Sequence, residues 1–361
     1  MDNRDLTMRR PTSISQTIPD LAPPEGHADA LILAALRLAG QSGASGADLA
    51  KQLKVSRAAI WARIEDLRRA GYDIVASPHH GYVLRSTPEA LHADDILSRL
   101  ELPRIVAREV QVFQETSSTN EIVDRLARDG VAEGVVVFAE SQSAGRGRLG
   151  RRWFSPPGCG LWFSVLLRPP LRPQSATQLT VLSAVAVARG IERETGLHPE
   201  IKWPNDIVFG PRKCGGILLE LGAELDHIRH VVLGIGIDVN VAPEEFPSEL
   251  RQVATSLREQ AGHKLDRTAL AVAILRELDA AYARLRRGDF HEVSDEWVRR
   301  CTTLGKGVRI QMGDRMIVGT AEALDEEGAL LVRTMHGRLE RIVGGDVTLE
   351  KSPIPLTIAP P

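Results

Sequence analysis

Gly145-Arg146-Gly147-Arg148-Leu149-Gly150-Arg151-Arg152-Trp153 sets four arginines among three glycines within nine positions. Glycine lets backbone amides approach a ligand, and guanidinium forks match phosphate and carboxylate oxygens, so the loop suits an anion. Gly145, Gly147 and Gly150 also satisfy the dinucleotide pattern G-x-G-x-x-G, which has meaning only between a strand and a helix. Val135 to Ala139 reads as a strand before the loop. After it come Pro156-Pro157-Gly158 and the apolar run Leu161 to Leu167, so no helix opens on the third glycine and the dinucleotide reading fails. Taken alone, the loop could equally be a solvated basic turn.

Outward from the loop, strands and helices mix without strict alternation. Strands are expected at Val110 to Phe113, Val135 to Glu140, Leu161 to Leu167, Gly216 to Leu221 and His230 to Asn240. Another strand ends at Lys202, and a hairpin runs through Lys213. Helices are expected from Asn120 to Asp129, from Ala176 to Glu194, from Arg267 to Arg287 and from Asp289 to Arg300. This order predicts an α+β fold whose helices pack on one face of a largely antiparallel or mixed sheet. Val308 to Gln311, Met316 to Leu324, Ala329 to Arg333 and Arg338 to Ile342 are short strands with glycine-containing turns, consistent with a small barrel.

Toward the N-terminus, Leu31, Ile32, Ala35, Leu36 and Leu38 line one face of a helix that Gly40 ends. Ser45 and Ser56 read as the N-caps of two further helices, the second burying Ile60, Ile64 and Leu67. Two capped helices joined by three residues make a helix-turn-helix, and Tyr72 to Val75 with Gly81 to Leu84 form a hairpin wing. Ser56, Arg57, Ala58, Trp61 and Arg63 are the candidate DNA-contacting residues: arginines reach bases or phosphates, and small residues allow close approach. From Ala28 to Arg85, eight Lys and Arg against five Asp and Glu give +3, whereas the whole chain carries -2. A docking or dimerisation module is the competing use of such a unit.

The 361 residues divide into two or three domains. Boundaries are expected to separate a disordered leader (1–27), a winged helix-turn-helix (28–87), a central unit (88–303), a C-terminal unit (304–351) and a tail (352–361). Cys159, Cys214 and Cys301 are odd in number and in no C-x-x-C pair, so neither a disulfide framework nor a zinc site is indicated, and no metal-binding residues are assigned. No apolar run approaches the ~20 residues needed to span a bilayer, and no secretory leader is visible. A reducing cytoplasm is the expected location.

Three further stretches stand with the arginine loop: Thr116-Ser117-Ser118-Thr119-Asn120, Lys202-Trp203-Pro204-Asn205-Asp206, and Arg212-Lys213-Cys214-Gly215-Gly216-Ile217-Leu218. Through these four motifs the chain resembles the biotin protein ligase family, in particular its bacterial bifunctional ligase and biotin-operon repressor members, from about Ala28 to Leu349. The resemblance implies a C-terminal unit similar to SH3 barrels. It implies activation of biotin by ATP to biotinyl-AMP, with Mg2+ accompanying ATP, and transfer of biotin to a lysine of a biotin carboxyl carrier protein. It also implies repression at operator DNA by a ligand-promoted homodimer.

By the same resemblance, Ser118, Thr119, Asn120 and Gln142 meet biotin's ureido ring, Ser118 being otherwise a plain helix cap. Gly145, Arg146, Gly147, Arg148, Gly216 and Gly236 complete the biotin site. Arg148, Arg151, Trp153, Lys202, Asn205 and Asp206 fall on the nucleotide side, and Lys213 and Arg148 are the catalytic pair. Gly234-Ile235-Gly236-Ile237-Asp238-Val239-Asn240 resembles a family stretch in which asparagine usually stands at the fifth position, so Asp238 puts an acid near the ligand. Three alternatives remain: a lipoate ligase, a biotin-sensing DNA-binding regulator with weak or no ligase activity, and a ligase without repression that keeps the winged helix as scaffold.

Overall fold

Residues 27–77, 80–224 and 226–349 are described by the computed structural model. The expected leader, apart from His27, and the expected tail lie outside the described residues. Helix α1 (Ala28–Ala39) stops at Gly40, whose φ of 51° suits glycine. Helix α2 (Gly46–Gln52) is capped by Ser45, whose hydroxyl accepts from the amides of Ala47 and Asp48. Helix α3 (Arg57–Arg69) is capped by Ser56, which accepts from the Ala59 amide at 3.1 Å. These caps satisfy amides that the first helical turn leaves without partners. Ile32, Leu36, Leu49, Ile60 and Ile64 close a small core of their own beneath the antiparallel wing β1 (Asp73–Ser77) and β2 (Gly81–Ser86).

Helix α4 (Ala93–Ser98) comes after the wing and lies against α1. Its Asp95 is buried and held by Arg37 of α1 and by Arg99, so an ion pair joins the winged unit to the central unit. The central unit then runs β3 (Glu109–Thr116), α5 (Thr119–Arg128), β4 (Val135–Gln142), β5 (Gly160–Leu167), α6 (Thr177–Thr195), β6 (Glu200–Lys202), β7 (Asp206–Phe209), β8 (Arg212–Ala223) and β9 (Ile228–Asp238). Three helices complete it: α7 (Leu257–Ala261), α8 (Arg267–Leu285) and α9 (His291–Arg300). Seven strands form one sheet in the order β3-β4-β5-β9-β8-β7-β6, mixed because only β3 and β4 run parallel.

Side-chain alternation gives this sheet two different faces. Val136, Phe138, Val231, Leu233, Ile235 and Ile237 point into the main core with α6 and α8. Val135, Val137 and Val232 point the other way, against Val123 and Ala127 of α5. The expectation that helices cover one face is therefore corrected: α5 covers part of the second. The physical reason is that α5 presents a narrow apolar stripe, enough for β4, β5 and part of β9 and no more. The remainder of that face stays open.

C-terminal strands β10 (Gly307–Met312), β11 (Arg315–Leu324), β12 (Leu330–Thr334), β13 (Leu339–Ile342) and β14 (Asp346–Leu349) form an antiparallel sheet ordered β13-β12-β11-β10-β14. Among the described residues its two edge strands do not pair, so the expected barrel is not closed by hydrogen bonds. β14 is an added strand absent from the sequence expectation. Its strand character comes from pairing with β10, far earlier in the chain.

Candidate active site

A cavity of about 450 Å³ opens on the sheet face that α5 leaves free. Gly234, Gly236 and Asp238 alternate along β9 into it, while Ile235 and Ile237 turn to the core. Gly234 makes room for Asn120, whose Oδ1 a Cβ there would meet at 2.3 Å, and Gly236 and Gly216 make room for Trp153, which lies along this floor. A Cβ on Gly236 would stand 2.5 Å from the indole Nε1, and one on Gly216 would stand 3.1 Å from its ring. Trp153 meets Trp162 edge to face at 6.5 Å, and its Nε1 is buried without a hydrogen-bond partner. The Lys213 ammonium stands 5.1 Å from the Trp153 ring centre and 2.6 Å from Asp206 Oδ1.

One end of the cavity is a polar group drawn from four elements, α5, β4, β5 and β8. Gln142, at the end of β4, accepts from the Thr119 amide at 2.9 Å and donates from Nε2 to Ser155 Oγ at 3.0 Å. Ser164 of β5 donates to Asn120 Oδ1, and Asn120 Nδ2 donates to Glu220 at 2.8 Å. Ser118 occupies the N-cap position of α5, yet its hydroxyl makes no capping bond, so the plain-cap reading fails. It is buried and lines the cavity.

The arginine loop forms a second wall, which meets the polar end at Glu220. Arg146 pairs with Glu121 and lies 3.4 Å from Glu220. Arg148 donates to Asn205 Oδ1 at 2.8 Å and to the Gly345 carbonyl at 3.1 Å, and Arg151 pairs with Asp346. Burial lowers the Arg148 pKa, partly offset by the charges of Asp206 and Asp346. Lys202, Asn205 and Gly147 line the same space. Gly145 does not line it. It is buried behind the wall, where a Cβ would stand 2.6 Å from the Trp153 carbonyl, so its requirement is close backbone packing.

Residues 112–238 match the Biotin/lipoate A/B protein ligase family, 30–83 an HTH domain and 303–349 the Biotin protein ligase C terminal domain. The Bacillus subtilis (strain 168) bifunctional ligase/repressor BirA is 38% identical over 86% of this chain and 95% of its own length. The chain belongs to the biotin protein ligase family. The Escherichia coli (strain K12) bifunctional ligase/repressor BirA is 33% identical over 85% of this chain and 93% of its own. Among solved structures, the Aquifex aeolicus biotin protein ligase in complex with biotin and ATP is 31% identical with a TM-score of 0.58, covering 68% of this chain and all of that one.

Against this family background, several cavity residues carry no signal in the sequence. Phe246, Leu250 and Val253 line the cavity from the segment between β9 and α7, and Gly345 and Asp346 reach it from the C-terminal sheet. Glu121 and Glu220, the partners of Arg146, are equally silent because their meeting depends on how α5 and β8 are placed. On α3, Ser56, Arg57, Ala58 and Trp61 are exposed. Arg63 is part-exposed and donates to Asp29 of α1 at 2.9 Å. Among the described residues no helix is long and apolar enough to cross a membrane.

Proposed function

We infer that this chain activates biotin with ATP, transfers it to a lysine of a biotin carboxyl carrier protein, and represses transcription through its winged helix. The observation that carries the reading is the convergence of four sequence-distant motifs on one cavity with a hydrogen-bonding end and a cationic wall. Ser118, Thr119, Asn120 and Gln142 hold the ureido ring, whose polar atoms need partners once buried. Arg146 and Gly147 cover the ring system, and the Gly216 and Gly236 floor carries the apolar part beside Trp153. Arg148, Arg151, Lys202, Asn205 and Asp206 serve the nucleotide.

In the first step a biotin carboxylate oxygen forms a bond to the α-phosphorus while the bond to pyrophosphate breaks. A carboxylate needs no base at neutral pH, so the protein's task is to position two anions and offset the charge developing between them. Lys213 and Arg148 do this. Lys213 exchanges Asp206 for ligand oxygens, leaving Asp206 toward the nucleotide. In the second step the carrier amine, having lost its proton, attacks the carbonyl carbon and AMP leaves.

Magnesium belongs to the ATP. The ion arrives on the triphosphate, as Mg2+ is usually bound through substrate phosphates. The functional units are residues 28–87 for DNA, 88–303 for ligation and 304–351 for the SH3-like cover. A homodimer promoted by biotinyl-AMP would place two α3 helices on a two-fold operator. A reducing cytoplasm, where DNA, ATP and carrier proteins meet, is its location.

The test is incubation of the full chain with biotin, labelled ATP and magnesium, followed by a carrier domain, with lipoate alongside. Biotin-specific adenylate and a biotinylated carrier are expected. A folded sample that makes no adenylate would remove the ligase reading in favour of a biotin-sensing regulator. Operator binding with and without biotin and ATP then tests repression, and Arg57→Ala should lower the salt slope of that binding by about 1.

A further inference from the structure

β9 ends in the cavity on a carboxyl that nothing pairs. Asp238 is 5% exposed, lines the cavity, and its Oδ1 has no hydrogen-bond partner. Its strand alternation with Gly234 and Gly236 puts it on the ligand face. Opposite it on β5 stands Gly160, which offers no side chain. From β8 the Lys213 ammonium and the buried Cys214 thiol face it, the thiol meeting the Asp238 carbonyl at 3.6 Å. From α7, Arg258 meets β9 only through its backbone amide, on the Val239 carbonyl, and Glu259 is taken by Arg212 and Thr255. Lys213 is thus the one charge that bears on Asp238, and it is already engaged by Asp206.

An ionised carboxylate here would be a buried acceptor without donors, facing the space where a ligand's anionic end must lie. Burial pushes the Asp238 pKa well above the usual carboxylate range, and Lys213 draws it back only in part. Neutral, the same group carries an O–H that can donate.

We propose that Asp238 works as a protonated acid, donating a hydrogen bond to the anionic end of the bound ligand and thereby making ligand capture depend on pH. It is a positioning and affinity residue, and the proposal rests on the biotin-ligase reading. The biotin carboxylate is ionised throughout the neutral range, so affinity follows the proton on Asp238. Above the pH at which the free protein loses that proton, the dissociation constant should rise toward tenfold per pH unit, as one linked proton requires. An asparagine at this position donates through its amide at every pH.

The test is calorimetric titration of the full chain with biotin from pH 6 to 10, using wild type, Asp238→Asn and Asp238→Ala, with biotin methyl ester as a neutral ligand for the wild type. Asp238→Ala should bind biotin about tenfold more weakly or worse near neutral pH, the scale of a lost hydrogen bond to a charged group, while Asp238→Asn holds. Wild-type affinity should fall at alkaline pH more steeply than that of Asp238→Asn, and the ester should show no such fall. Asp238→Ala binding as tightly as wild type, or wild type and Asp238→Asn following parallel profiles, would overturn the proposal while leaving the ligase reading intact. Failure of folded wild type to bind biotin at any pH would sink both.

Discussion

Arg267 and the loop arginines carry the same guanidinium and hold this protein in opposite ways. Arg267, at the start of α8, is 5% exposed and donates to Glu140 at 2.7 and 3.2 Å and to the carbonyls of Gly160 and Glu89. Glu140 also accepts from the Leu91 amide at 2.7 Å, so one buried pair ties α8, β4, β5 and the segment leaving the winged unit. Arg146 and Arg151 instead reach their carboxylates with side chains 42% and 63% exposed. In the dry setting neither partner can be released without stranding a charge. In water the carboxylates can be exchanged at little cost, which is what a wall that must admit and cover an anion requires. Two residues along β4 from the rigid pair lies Gln142, so the hydrogen-bonding end of the cavity is anchored where its cationic wall is exchangeable.

The sharpest way to break this contrast is Glu140→Ala. It should cost about 3–5 kcal/mol in urea unfolding, because Arg267 is left buried and unpaired. A loss comparable to that of a surface pair would erase the distinction. Lys213→Ala should lower adenylate formation about 10²–10³-fold, the scale of a lost charge-stabilising donor, with the unfolding midpoint little changed. Activity lost together with stability would place Lys213 with the rigid set. Arg37→Ala removes one of two arginines on buried Asp95 and should cost about 1–3 kcal/mol, seen as earlier melting of the winged unit in hydrogen exchange. Asp346→Ala should change stability by only about 0.2–1 kcal/mol and vanish in 1 M salt, yet speed tryptic cleavage at Arg148 and Arg151. Unchanged cleavage would mean the C-terminal sheet does not hold the loop.

Elements with strong local signals were legible in the sequence. Ser45 and Ser56 cap the helices assigned to them, and the glycine-punctuated strands of the central sheet fall within a few residues of their expected places. Part of the cavity lining was legible as four motifs because glycines and cations cluster in sequence as well as in space. β14 was not, since what makes it a strand is its pairing with β10, far off in sequence, and with it the Gly345 carbonyl and Asp346 were missed as partners of Arg148 and Arg151. The partner of Arg63 was not legible either, because helical spacing says which residues leave the core but not which neighbouring helix meets them.

By itself, then, the sequence determined the elements and the chemical kinds gathered in four motifs, because caps, turns and alternation act over a few residues. Only the tertiary structure decided which face of the sheet stays open, which carboxylates answer each arginine, and that Asp238 stands buried and unpaired. Those outcomes depend on strand register and on solvent exclusion by segments distant along the chain, and a charge's cost is set by that exclusion rather than by its neighbours in sequence.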